Sequence, residues 1–326
     1  MIKLFANLIG FGVLALLIVV LTIFFGPREK ARLTQPFDRN LLAGGVENYL
    51  AAREANVPNL RAGQGREVIW AGARETKTPL AVVYIHGFSA SKAELRPVPD
   101  QVATALGANL FYTRLPGHGR DGAAMGDPTA SDWLAVYDET MAIATTIGER
   151  VLVISTSTGS TLATAGLVRV GWAEKIAGHV MVSPNFGIPD PAAKLANLMG
   201  FRLWGPMLAG SERSFEPLND AQAQYWTTRY PLGAVVPMMR LIAAVDSADY
   251  STADMPALFI YSDQDQVVDP KRTEIFMKNW GGKTQRFVPD LREVQSDAYH
   301  VIAGDIIAPE QTDEIIAAIL AWAQGL

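Results

Sequence analysis

The sequence predicts an α/β protein, a mostly parallel sheet with helices on its faces and right-handed crossovers between strands. Three observations predict it. Short continuous apolar runs such as "LAVVYIHG" and "RVLVIS" have the pattern of strands buried on both faces. Longer stretches with helical spacing, such as "SDWLAVYDETMAIATTIG", stand between them. The two kinds alternate from about Pro79 to the C-terminus, interrupted once.

The elements follow in order. From Leu4 to Phe25 the chain is nearly all hydrocarbon, with Asn7 its one strongly polar residue. Roughly 22 residues at 1.5 Å each cover a bilayer core of about 30 Å. Residues 1–26 are therefore expected to form a single-pass transmembrane anchor and to place the protein at a membrane. A cleaved signal peptide would have a shorter apolar stretch and a small-residue cleavage site, which "LTIFFGPREK" does not offer. Lys3 on one side and Arg28, Lys30 and Arg32 on the other leave the side of the main domain open.

Residues 27–75 are expected to form a juxtamembrane segment with one helix, Gly45 to Ala55, and a first strand in "EVIWAG". The first part of the core, 76–187, holds the strands "LAVVYIHG", "ANLFYTRLPG", "RVLVIS" and "HVMVSP". Its helices are "SDWLAVYDETMAIATTIG", with Thr129 or Ser131 as N-cap, and "STLATAGLVRV". Residues 188–253 carry several prolines and no convincing strand, and are expected to be a helical insertion roofing a site at the sheet edge. The second part of the core, 254–326, holds "PALFIYS", "TQRFVP" and the closing helix "DEIIAAILAWAQ".

Composition narrows the chemistry. With 49% hydrophobic and 19% charged residues the chain is globular rather than disordered. A net charge of -5 without a basic block argues against a nucleic-acid partner. The absence of cysteine removes disulfides, thiolate metal sites and a Cys nucleophile, leaving Ser, His, Asp and Glu. No metal-ligand pair or phosphate-cradling loop is visible, so no metal and no cofactor is expected.

"RVLVISTSTGSTLATAG" places a hydroxyl-rich turn between a buried strand and a helix that starts at once, which is the setting of a nucleophile elbow. Ser157 fits the nucleophile position, with Ser155 two residues before and Gly159 two after; a glycine is usual where Ser155 stands. A serine hydroxyl needs a base, and the base an orienting carboxylate. Of the 4 histidines, His86, His118 and His179 precede the later carboxylates. Only His300 satisfies the chain order Ser, acid, His. For the acid, "SDQDQVVD" offers Asp263, Asp265 and Asp269, with Asp190 outside this group. Asp263 stands close to the strand end and Asp269 suits a helix cap at Pro270, which favours Asp265 without separating it cleanly from Asp263.

"YIHGFSAS", "YTRLPGHGRDG", "VLVISTSTGS", "YSDQDQVV" and "YHVIAGD" occur in the order and setting of the α/β-hydrolase fold. They resemble its lysophospholipase, monoacylglycerol lipase and serine aminopeptidase-like branch, from about Pro79 to the C-terminus outside the insertion. The resemblance implies Ser157 as nucleophile, Asp265 as acid and His300 as base, with an oxyanion hole from the backbone N–H groups of Phe88 and Thr158. His86 and His118 would then shape loops. The implied activity is hydrolysis of carboxylic esters, with a small-molecule or lipid-like substrate. An aminopeptidase, amidase or acyltransferase would use the same triad, and a non-catalytic binding module would keep the fold alone. Oligomeric state is not legible.

Overall fold

The computed structural model describes residues 2–292, 294 and 296–326, with side chains in the first helix from Ile9 onward. Helix α1 (Ile2–Phe25) is followed by α2 (Val46–Ala55), β1 (Glu67–Ile69), β2 (Thr78–Ile85), α3 (Val98–Ala105) and β3 (Asn109–Tyr112). Then come α4 (Ala130–Ile147), β4 (Gly148–Thr156), α5 (Thr158–Arg169) and β5 (Ile176–Val182). The intervening stretch carries α6 (Phe201–Ala209), β6 (Glu212–Ser214), α7 (Asp220–Tyr225), β7 (Arg229–Pro231) and α8 (Val235–Asp246). The chain closes with β8 (Ala257–Ile260), α9 (Pro270–Lys278), β9 (Thr284–Phe287) and α10 (Thr312–Ala323).

Seven strands form one sheet in the order β1-β3-β2-β4-β5-β8-β9. Within this sheet, among the described residues, only the β1–β3 pairing is antiparallel; β3, β2, β4, β5, β8 and β9 run parallel. Because successive strand residues point to opposite faces, each central strand feeds two cores. Val83, Val153 and Phe259 face the cluster that includes Trp133 and Tyr137 of α4 and Leu162 of α5. Val82, Leu152 and Leu258 face the cluster built with Val98 and Val102 of α3 and Ile315 and Ile319 of α10. Burial on both faces is why the central strands are apolar without alternation.

Thr129 caps α4 in a full capping box with Asp132, settling the choice left open with Ser131. Two features escape the sequence pattern. Helix α3 starts among prolines, with Pro99 in its first turn, where a missing N–H costs nothing. Strands β6 and β7 pair antiparallel inside the expected helical insertion. They are three residues each and β6 is wholly exposed, so neither has apolar alternation to reveal it.

The expected transmembrane anchor is corrected, and with it the membrane localisation and the membrane partner. Among the described residues no helix is long and apolar enough to cross a membrane. The last turn of α1 is also engaged by the protein itself: the Met199 N–H donates to the Ile23 carbonyl at 3.2 Å.

A buried ion network joins the segment before β2 to the core. Arg66 bridges Glu54 and Glu139, each at 2.6 Å, Arg114 reaches Glu54 at 3.1 Å, and the Tyr49 hydroxyl donates to Glu139 at 2.5 Å. Burial pushes the Glu54 carboxyl up, but hydrogen bonds and charge from Arg114 and Arg66 outweigh it and hold the group below its ordinary range.

Candidate active site

The site residues stand at the carboxyl ends of the parallel strands, where loops gather side chains from elements distant in sequence. Ser157 follows β4 directly. Its backbone is at φ 51°, ψ −119°, a conformation that non-glycine residues adopt only when the surroundings enforce it. The enforcing contacts are its N–H on the Val182 carbonyl at 2.9 Å, and its own carbonyl, which receives N–H groups from Ser160 and Asn185. Gly159 is required by space: a Cβ there would run into the carbonyl oxygens of Ile85 and His86.

The structure brings Ser157, His300 and Asp265 into one hydrogen-bonded chain. Ser157 Oγ lies 2.9 Å from His300 Nε2, and His300 Nδ1 lies 2.7 Å from Asp265 Oδ2. The other carboxylate oxygen, Oδ1, accepts the N–H groups of Val267 at 2.8 Å and Val268 at 2.9 Å. These bonds fix the carboxylate plane, so Oδ2 is left to the imidazole. The acid and histidine loops are tied by the Gln266 N–H on the Ala298 carbonyl at 2.9 Å. All three side chains are buried.

The other carboxylates lie elsewhere. Asp263 is exposed and paired with Arg286 at 2.7 Å. Asp269 caps α9 through the Lys271 N–H, and Asp190 caps a short 3-10 helix through the Ala192 N–H.

Phe88 follows the end of β2, and Thr158 is the first residue of α5. Among the described residues neither backbone N–H meets an acceptor within the protein. Two neutral histidines hold the Phe88 loop. His86 Nε2 accepts the Leu115 N–H at 3.1 Å, so its Nδ1 carries the proton and donates to the Gly87 carbonyl at 2.9 Å. His118 Nε2 accepts the Ser89 N–H at 3.0 Å. Burial lowers both, His86 to about 4 and His118 well below its ordinary value. The Phe88 ring packs edge-on against Tyr230 of β7 at 5.1 Å and against His118 at 5.8 Å. The Thr227 N–H donates to the Ser89 carbonyl at 2.7 Å. A cavity of about 620 Å³ lies apart from this site, lined by Asp246, Tyr250, Arg272 and Trp280 among others.

The fold is that of the α/β hydrolases, and the chain belongs to the alpha/beta hydrolase family, whose model matches residues 82–310. Its resemblance is to the monoacylglycerol lipase branch. It is 27% identical over 231 residues to a thermostable monoacylglycerol lipase of Bacillus sp. (strain H-257), covering 71% of this chain and 86% of that one. Among the solved structures that share the fold are two of lipolytic enzymes. One, of the metagenome-derived lipolytic enzymes LipS and LipT, has a TM-score of 0.66 at 19% identity, covering 82% of this chain and 100% of the other. A soluble variant of monoglyceride lipase from Saccharomyces cerevisiae has a TM-score of 0.58 at 14% identity, covering 80% of this chain and 90% of the other.

Proposed function

We propose that this chain is a serine hydrolase that cleaves carboxylic esters with an apolar, lipid-like acyl group. The observation that carries the proposal is the chain Ser157–His300–Asp265, with both hydrogen bonds under 3 Å, beginning at a serine in an enforced positive-φ turn. Ser157 Oγ forms a bond to the ester carbonyl carbon while its proton passes to His300 Nε2. Asp265 holds the Nδ1–H tautomer and stabilises the imidazolium. The free N–H groups of Phe88 and Thr158 take the oxyanion, a contribution of about 3–4 kcal/mol per donor. The imidazolium then protonates the leaving alcohol, and water, deprotonated by His300, releases the acid from the acyl enzyme.

Residues 76–187 and 254–326 serve as the hydrolase core, and 188–253 as a cap over it. The Tyr230–Phe88 contact and the Thr227–Ser89 hydrogen bond support the cap role. The lipid-like substrate is supported by the names of the relatives, lipases for monoacylglycerol and monoglyceride, and by the apolar and aromatic residues about Phe88.

A fluorophosphonate probe tests the reaction class. Wild type should label and Ser157→Ala should not; labelling of Ser157→Ala overturns the nucleophile. A panel of p-nitrophenyl esters of rising chain length against aminoacyl amides tests the substrate class. Preference for the amides would replace the esterase reading with an amidase.

A further inference from the structure

A carboxyl outside the Ser157–His300–Asp265 chain sits beneath the Phe88 loop. Glu94 ends a short 3-10 turn, Lys92–Glu94, before α3 and is only 2% exposed. Its Oε2 accepts the Gly87 N–H at 2.7 Å and the Tyr84 hydroxyl at 2.9 Å, and Tyr84 in turn meets Thr156, next to the nucleophile, at 3.1 Å. Its Oε1 has no hydrogen-bond partner among the described residues. That oxygen lies 2.8 Å from the point where a Cβ on Gly87 would stand, and Ser157 Cβ lies 3.2 Å from the same point. Gly87 is thus held between the carboxyl and the nucleophile with no room for a side chain.

Burying a carboxylate is expensive unless it is paired and hydrogen-bonded. Burial pushes the Glu94 carboxyl up, against the pull of the Gly87 N–H, the Tyr84 hydroxyl and the His300 charge. The placement accounts for the cost. Gly87 lies between two peptide units, and the second carries the Phe88 N–H. His86 grips that second unit through the Gly87 carbonyl; Glu94 grips the first through the Gly87 N–H. A glycine clamped on both sides cannot rotate the Phe88 N–H away.

We propose that Glu94 is a positioning residue of the oxyanion loop, fixing the Gly87 peptide so that the Phe88 N–H meets the carbonyl oxygen of the substrate. The proposal rests on the serine-hydrolase reading above. Misplacement of a catalytic donor by about 1 Å can cost about 100-fold, and loss of one costs about 100-fold to 1,000-fold. A Glu94→Leu variant should therefore lose about 10-fold to 100-fold in kcat with KM within about twofold.

The test is steady-state hydrolysis of p-nitrophenyl butyrate, with inhibition by an alkyl trifluoromethyl ketone as a measure of oxyanion binding. Glu94→Leu should weaken the ketone in proportion to its loss of kcat. Glu94→Gln, which keeps an acceptor at the same reach, should recover most of both, whereas Glu94→Asp, one methylene short, should not. Thermal melting identifies folded variants, and if Glu94→Leu does not fold, Glu94→Asp against Glu94→Gln decides. Wild-type kcat in Glu94→Leu or Glu94→Asp, or loss in Glu94→Gln as deep as in those variants, overturns the proposal. Fluorophosphonate labelling separates the two levels. If wild type labels and hydrolyses the ester while Glu94 variants keep full kcat, only the role of Glu94 falls; if wild type does neither, both fall.

Discussion

The Ser155 hydroxyl lies 2.7 Å from Nε2 of His179, across the β4–β5 pairing and behind the Ser157 turn. It also meets Ser160 of α5 at 2.9 Å. The residue standing where such turns usually carry glycine is thus fully buried in a polar tie between β4, β5 and α5. Its side chain is accommodated because a histidine and a second serine replace the apolar contacts a core would otherwise make.

This buried histidine, with His86 and His118, should make the fold sensitive to acid. Burial lowers His179 to about 3 and His86 to about 4, and takes His118 well below its usual value. Below about pH 6.5 the unfolded chain binds protons on these side chains and the folded chain does not. Stability therefore rises with pH through this window, and is lost as pH falls from about 6.5 toward 4. Each such group contributes up to about 1.4 kcal/mol per pH unit. Urea unfolding at pH 7, 6, 5 and 4 should show a falling midpoint, and His179→Gln should flatten the slope by about one proton. A midpoint independent of pH over this range would refute neutral burial.

Asp265→Asn should lower kcat on p-nitrophenyl esters by about 10⁴-fold, because the amide stabilises the wrong imidazole tautomer. Asp263→Asn should change kcat by less than about threefold and stability by less than about 1 kcal/mol, since its partner Arg286 meets it at the surface. The reverse order of effects would reassign the acid.

Arg66→Ala should destabilise the fold by about 3–5 kcal/mol in urea unfolding, because Glu54 and Glu139 would be left buried with too little positive charge. Both carboxylates are largely shielded from water, at 14% and 8% side-chain exposure. A loss below about 1 kcal/mol would mean that water enters to replace the guanidinium.

The central strands are legible in the sequence because burial on both faces leaves a continuous apolar run, and Ser157 because the run passes straight into a helix. The proposed acid is legible only as a pair. Spacing puts Asp263 and Asp265 in one loop, but the choice depends on Arg286 from β9 and the Val267 and Val268 amides, which are tertiary and local geometry. Glu94 is not legible at all: an acidic residue in a turn ordinarily faces water, and its burial depends on Tyr84 of β2 and on Gly87 in the loop after it. Apolarity identifies α1 as a helix, but not what it rests against, which includes Met199 from the insertion.

Strand β1 has a consequence for anyone trimming this chain. Its three residues pair with Leu110, Phe111 and Tyr112 and cover the outer edge of β3, yet they lie before the family match, which begins at residue 82. A fragment cut to that match would bare a row of unpaired backbone donors and acceptors beside Phe111 and Tyr112, a template for another chain to add to. Self-association of such a fragment would therefore report the missing strand rather than an oligomeric habit of the intact protein.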